Sequence, residues 1–169
     1  MSLSRLMLTM LLFVSALPAD AAVVAGMYAQ GRTQLSLVGG NGYAYNNNYF
    51  FIGVSASYYV LDGLGVGMSF EKWSNGDPGI TKYAPFVQYV FYQSSSSVQP
   101  YVGAFYRHTI VDGLADINSF GERAGINIRS GPNAYVSLGF VQEVYLNCDE
   151  ATYLTCRETY PELGITFGF

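Results

Sequence analysis

Charge is scarce in this chain: Asp, Glu, Lys and Arg make up 12% of its 169 residues, about half the usual share of 25%. Lys and Arg never cluster, and the formal net charge is −4. Both facts exclude a nucleic-acid partner, which would need a basic face. His108 is the only histidine, so an imidazole-dependent triad has a single candidate. Cys148 and Cys156 are the only cysteines; their spacing is not C-x-x-C and no histidine lies near, which argues against a metal or redox pair. Long apolar runs are also missing. The most apolar stretch, Leu6 to Leu17, is too short for a membrane-spanning helix of about 20 residues.

That stretch reads as an export signal instead. Arg5 precedes it, and Ala19-Asp20-Ala21 supplies an A-x-A cleavage site. Residues 1–21 are therefore expected to be removed, leaving one domain over 22–169. Export into an oxidising compartment predicts a Cys148–Cys156 disulfide, which would contribute about 2–3 kcal/mol through the short segment it closes.

What the chain does have is glycine (19), tyrosine (15) and phenylalanine (11). Abundant aromatics, few charges and no spanning helix point to a β-barrel whose outside meets hydrocarbon. Period-two alternation supports this. Ile52, Val54, Ala56, Tyr58 and Val60 alternate with Gly53, Ser55, Ser57 and Tyr59; after Leu61-Asp62-Gly63, Leu64, Val66, Met68 and Phe70 alternate with Gly65, Gly67, Ser69 and Glu71. A turn between two such runs makes a hairpin. Further strands are expected near 28–39, 81–92, 99–107, 119–128, 134–145 and 162–169, with strand four ambiguous in facing. Residues 39–48, 72–80, 108–118 and the Cys148–Cys156 segment read as long connections, and the other three as short turns. Eight strands with long and short connections in alternation give an all-β, eight-stranded, antiparallel up-and-down transmembrane β-barrel, with both termini on the periplasmic side.

The stretches SASYYVLDGLGVGMSFEKW, AYVSLGFVQEVY and ELGITFGF resemble the small OmpA-like and OmpX-like outer-membrane barrels. The resemblance implies a monomer in the outer membrane, in contact with lipid and lipopolysaccharide. It also implies that Leu163, Ile165, Phe167 and Phe169 form the signal read by the barrel assembly machinery. Because Phe169 closes the sequence, the resemblance implies no periplasmic wall-binding domain.

Inward parity gathers Glu71, Gln88, Arg107, Arg123, Asn127, Glu143 and Glu162. Charges at membrane depth are tolerated when they face the lumen and pair, and an eight-stranded lumen is only wide enough for side chains to fill it. These residues are expected to form Arg–carboxylate pairs that plug the barrel. Tyr43, Tyr45, Tyr49, Tyr58, Trp73, Tyr83, Tyr89, Tyr106, Tyr145 and Phe169 fall near strand ends and are expected to form aromatic girdles. No catalytic, cofactor or metal constellation emerges. His108-Thr109-Ile110 departs from the His-x-Ser element of lipid A deacylases that share this barrel type. The expected role is non-enzymatic, in envelope integrity or cell-surface interaction. A narrow OmpW-like channel for small apolar solutes, lined by Tyr59, Phe105 and Tyr145, is one alternative; a lipid A-modifying enzyme is the other.

Overall fold

A computed structural model describes residues 26–44, 47–93, 96–146 and 156–169. Eight strands run in chain order: β1 (Thr33–Ala44), β2 (Asn47–Leu61), β3 (Leu64–Ser74), β4 (Ile80–Val90), β5 (Val98–Val111), β6 (Ile117–Arg129), β7 (Ala134–Tyr145) and β8 (Arg157–Gly168). Each pairs antiparallel with its neighbours, and β8 returns to β1 to close the cylinder. Closure leaves no free sheet edge, which lets strands cross a bilayer with their backbone groups paired.

Alternation in the sequence becomes two surfaces. Leu35, Leu37, Ile52, Val54, Val66, Met68, Leu138, Leu163 and Ile165 are exposed on the outside, while Gln34, Ser57, Tyr59, Ser69 and Glu71 are buried inside. Strand β4 is no longer ambiguous: Lys82, Ala84 and Phe86 face the lumen, and Tyr83 and Val87 face out. The tight turn after β2 uses Gly63 at φ 78°, a left-handed conformation that glycine adopts without a side-chain clash.

Three expected connections are in part strand. Gly39–Asn48, read as the first long loop, is the end of a β1–β2 hairpin in which Tyr43 pairs with Asn48 and Ala44 with Asn47; Tyr45 and Asn46 lie outside the described residues. Likewise β3 continues to Ser74, β4 begins at Ile80, and β5 and β6 reach Val111 and Ile117. His108 is therefore a strand residue rather than a loop residue. The strict long–short alternation does not hold, since β1 and β2 meet across two residues while β4 and β5 are separated by 91–97. Residues 1–25, with the expected signal, and Cys148 lie outside the described residues.

At the end of the barrel where β1 begins and β8 finishes, Gly26–Tyr28 forms a single 3-10 turn before β1. Met27 and Tyr28 are buried there, although they belong to no strand. The Gly63 N–H donates to the Tyr28 carbonyl at 2.8 Å, anchoring the segment to the β2–β3 turn.

Candidate functional site in the barrel interior

Strand parity puts Glu71, Lys82, Arg107 and Glu143 inside, and the register brings them to one level. Glu71 on β3 lies two residues from Trp73, and Arg107 on β5 is fully buried. Arg107 Nη2 donates to Glu71 Oε1 at 2.7 Å, while its Nη1 donates to Glu143 Oε2 at 2.7 Å and to the Tyr160 hydroxyl at 2.5 Å. One guanidinium thus ties β3, β7 and β8 to β5. Its planar fork suits two carboxylates at once.

Glu143 has further partners: Lys82 Nζ at 3.5 Å and the Ser119 hydroxyl, which donates to its other oxygen. Lys82 itself sits 3.8 Å over the Trp73 ring, so its charge meets both a carboxylate and a π face. Trp73 Nε1 donates to Glu71 Oε2 at 3.2 Å. Around this centre, Phe51 stacks on Trp73 at 5.2 Å between ring centroids, and Tyr160 meets both edge-on. Buried charge is costly unless paired and hydrogen-bonded; here the cations and carboxylates share one interlocked set.

Nearer the termini the lining changes. Arg123 lies 3.5 Å from Glu162 Oε1 and rests beside the rings of Phe105 and Phe86, at 5.2 and 5.5 Å. Gln88 belongs to a separate chain of bonds: its Nε2 donates to the Tyr59 hydroxyl at 3.0 Å, Tyr59 donates to Gln34 Oε1, and Gln34 Nε2 donates to the Met27 carbonyl. Asn127 accepts from the Ser137 hydroxyl at 2.7 Å. A polar cavity of about 40 Å³ remains among Ser36, Ser55, Gln88, Arg123 and Thr166, space for about three water molecules by the measure of one probe sphere each. Below it Tyr28 packs against Tyr59 and Tyr135 at 5.7 and 5.2 Å. Burial holds the Tyr28 hydroxyl well above the usual phenol range, so it stays neutral.

Of the sequence-predicted set, the structure joins Glu71, Arg107 and Glu143, pairs Arg123 with Glu162, and leaves Gln88 in the terminal layer. Lys82, Ser119 and Tyr160 were missed by sequence reasoning; Lys82 belonged to the strand of ambiguous facing, and Tyr160 to residues preceding the expected eighth strand. The aromatic girdle needs correction. Tyr49 and Trp73 are buried in the interior, because β2 and β3 continue past their expected ends and keep their odd positions facing the lumen; Tyr145, at the expected end of β7, follows its inward parity and donates to Glu158 at 2.6 Å. Tyr45 lies outside the described residues. Tyr43, Tyr58, Tyr83, Tyr106 and Phe169 are exposed, as are Leu163, Ile165 and Phe167.

His108 faces outward on β5. It contacts Asn118 Oδ1 through Nδ1 at 2.9 Å and lies 3.4 Å from Asp116 through Nε2. Among the described residues no hydroxyl is bonded to it, and no cluster of three or more His, Cys, Asp or Glu is placed to hold a metal.

No family model and no curated relative matches the chain. Solved structures do. The N-terminal β-barrel domain of OprF from Pseudomonas aeruginosa superposes with a TM-score of 0.69 at 16% identity, over 83% of this chain and 98% of that one. Neisserial surface protein A gives 0.56 at 15%, over 82% and 96%. A de novo designed transmembrane β-barrel gives 0.56 at 16%, over 83% and 97%. A designed barrel fits as well as a natural surface protein, so the likeness carries architecture and no particular role. The chain has the fold of the small eight-stranded outer-membrane β-barrels, with an apolar outside fit for lipid and an inside filled by its own side chains.

Proposed function

We propose that this protein is a closed, non-enzymatic barrel of the outer membrane that contributes to envelope integrity. The supporting observation is the Arg107 centre: one fully buried guanidinium held at 2.7 Å by both Glu71 and Glu143, with Trp73, Phe51 and Tyr160 filling the space around it. Residues lining a solute path would be exposed to it. Tyr59 and Phe105, expected to line a channel, are instead buried and packed, which supports the plug over the channel. The enzyme alternative gains nothing from His108, whose partners are an amide and a carboxylate at the rim. In this reading the chain is exported by removal of residues 1–21, carries a Cys148–Cys156 disulfide in a surface loop, and is inserted as a monomer through the pattern ending at Phe169. Its loops face the exterior and both termini face the periplasm.

Planar-bilayer recording of the purified barrel tests the plug. We expect no long-lived unitary openings; stable steps of defined size would replace this reading with a channel. Cells lacking the protein are expected to admit more of an apolar dye while keeping their lipid A acyl pattern unchanged. An altered acyl number would instead establish the enzyme.

A further inference from the structure

The β1–β8 ladder is the shortest of the eight. It runs from Gln34↔Gly168 to Gly39↔Leu163 and stops, while β1 stays paired with β2 as far as Ala44 and β8 with β7 as far as Arg157. Pro161 sits just beyond the last pair and has no N–H to offer. Pro85 also interrupts a ladder, but pairing there resumes on both sides, at Tyr83↔His108 and Phe86↔Phe105. At Pro161 it does not resume. The loop-side third of the seam therefore presents Gly40–Ala44 and Arg157–Glu162 to each other outside any regular register.

The exterior is indented at the same place. Gly39 occupies an outward position between Leu37 and Asn41 and carries no side chain. Phe50 and Ile52 on one flank and Leu138 and Phe140 on the other stand proud of it, and the apolar groove between them holds about 950 Å³. Four residues from Pro161 along β8 towards the loops, about 13 Å at the usual strand rise, Arg157 faces outward and exposed. It makes no ion pair with any described residue. Thr159 lies between the two on the same outward face.

We propose that this seam binds one phosphorylated glycolipid of the surrounding leaflet, with an acyl chain in the groove over Gly39 and Pro161 and a phosphate at Arg157. The proposal rests on the outer-membrane placement above, in which this end of the seam lies in the outer leaflet. Three features fit such a molecule together. The trough is apolar and, at about 950 Å³, has room for a chain. The Tyr43 N–H meets the Glu158 carboxylate, and the other strand backbone left out of register at membrane depth needs polar partners, which the sugar and ester groups can supply. A cation at the rim with no ion-pair partner among the described residues attracts a phosphate.

Native mass spectrometry of the full chain, refolded in detergent, tests this with bisphosphorylated lipid A, its dephosphorylated form and phosphatidylethanolamine. Folding is checked first by the change in electrophoretic mobility on boiling. We expect a single retained lipid A and about fivefold less of the other two lipids. Arg157→Glu is expected to lower retention about five- to tenfold, and Arg157→Lys to keep most of it. Gly39→Leu, which fills the trough, should also lower it several-fold, whereas Ala56→Leu, at an outward position away from the seam, should leave it unchanged. Equal retention of the three lipids, or of lipid A by wild type and Arg157→Glu, would overturn the seam site in a folded barrel and leave the placement standing. A chain with no heat-modifiable form would overturn both.

Discussion

Towards the loops, the lumen is filled by side chains that the strands themselves project: Arg107, Glu71, Glu143, Lys82 and a cage of aromatic rings. Towards the termini, strand side chains leave a small polar cavity, and the stopper is Met27 and Tyr28, which lie outside the sheet. The first closure depends on charge geometry set by register. The second depends on packing and on a chain of neutral hydrogen bonds from Gln88 through Tyr59 and Gln34 to the Met27 carbonyl. A barrel this narrow can thus be sealed twice by unrelated chemistry, and each seal can be removed without rebuilding the other.

Removing the ionic seal has the largest expected effect. Arg107→Met leaves Glu71 and Glu143 buried with Lys82 as the one cation beside them among the described residues, and breaking a buried pair in this way costs about 3–5 kcal/mol. Urea titration of the barrel in lipid vesicles measures the loss; a midpoint within error of wild type would show that the carboxylates find other partners. Tyr28→Ala should cost less, about 2 kcal/mol, since the terminal layer can partly collapse onto the space. Tyr28→Ala alone should remain closed in planar bilayers, and current should flow when it is combined with Arg107→Met. If the single variant conducts, the ionic layer is not a seal.

Smaller effects follow from the close packing of the loop-side layer. A Cβ at Gly42 would stand 2.4 Å from the Trp73 ring, so Gly42→Ala should cost about 1–2 kcal/mol through overpacking, read by the same titration. Gly131→Ala, with only Ala134 in ordinary contact, is the matched control and should be near neutral. His108→Ala is expected to change stability by no more than about 0.5 kcal/mol, because its contact with Asp116 is half-exposed and screened. A larger loss would give the histidine a structural duty at the rim.

Facing was legible in the sequence wherever period-two alternation was clean, as in β2, β3 and β8, because a one-residue slip would move every apolar group from lipid to lumen. The strand ends were not. The stretch GGNGYAYNNN reads as a loop by composition, yet Gly40 and Gly42 are strand residues whose missing side chains admit the rings of Phe51 and Trp73. Glycine here answers to crowding across the lumen, which lies outside the reach of local propensity. The same misplaced ends assigned Tyr49 and Trp73 to a girdle, although Trp73 shares the parity of Glu71. In the ionic layer, Arg107, Glu71 and Glu143 could be gathered by parity alone. Lys82 could not, since flanking Tyr83, Ala84 and Pro85 carry no alternation to say which way it points.

The brief ladder between β1 and β8 also bears on the order in which the sheet assembles. Gln34–Gly39 must meet Leu163–Gly168 across nearly the whole sequence, whereas every other pairing joins consecutive strands. Loop-closure entropy makes such a distant meeting slow, and few rungs are on hand to hold it once made. The hairpins are therefore expected to zip first and the cylinder to shut last at this line, with amides of Leu35 and Ile165 gaining protection after those of Val54 and Met68 in pulse-labelled exchange. Simultaneous protection would mean that the sheet rolls up as one unit.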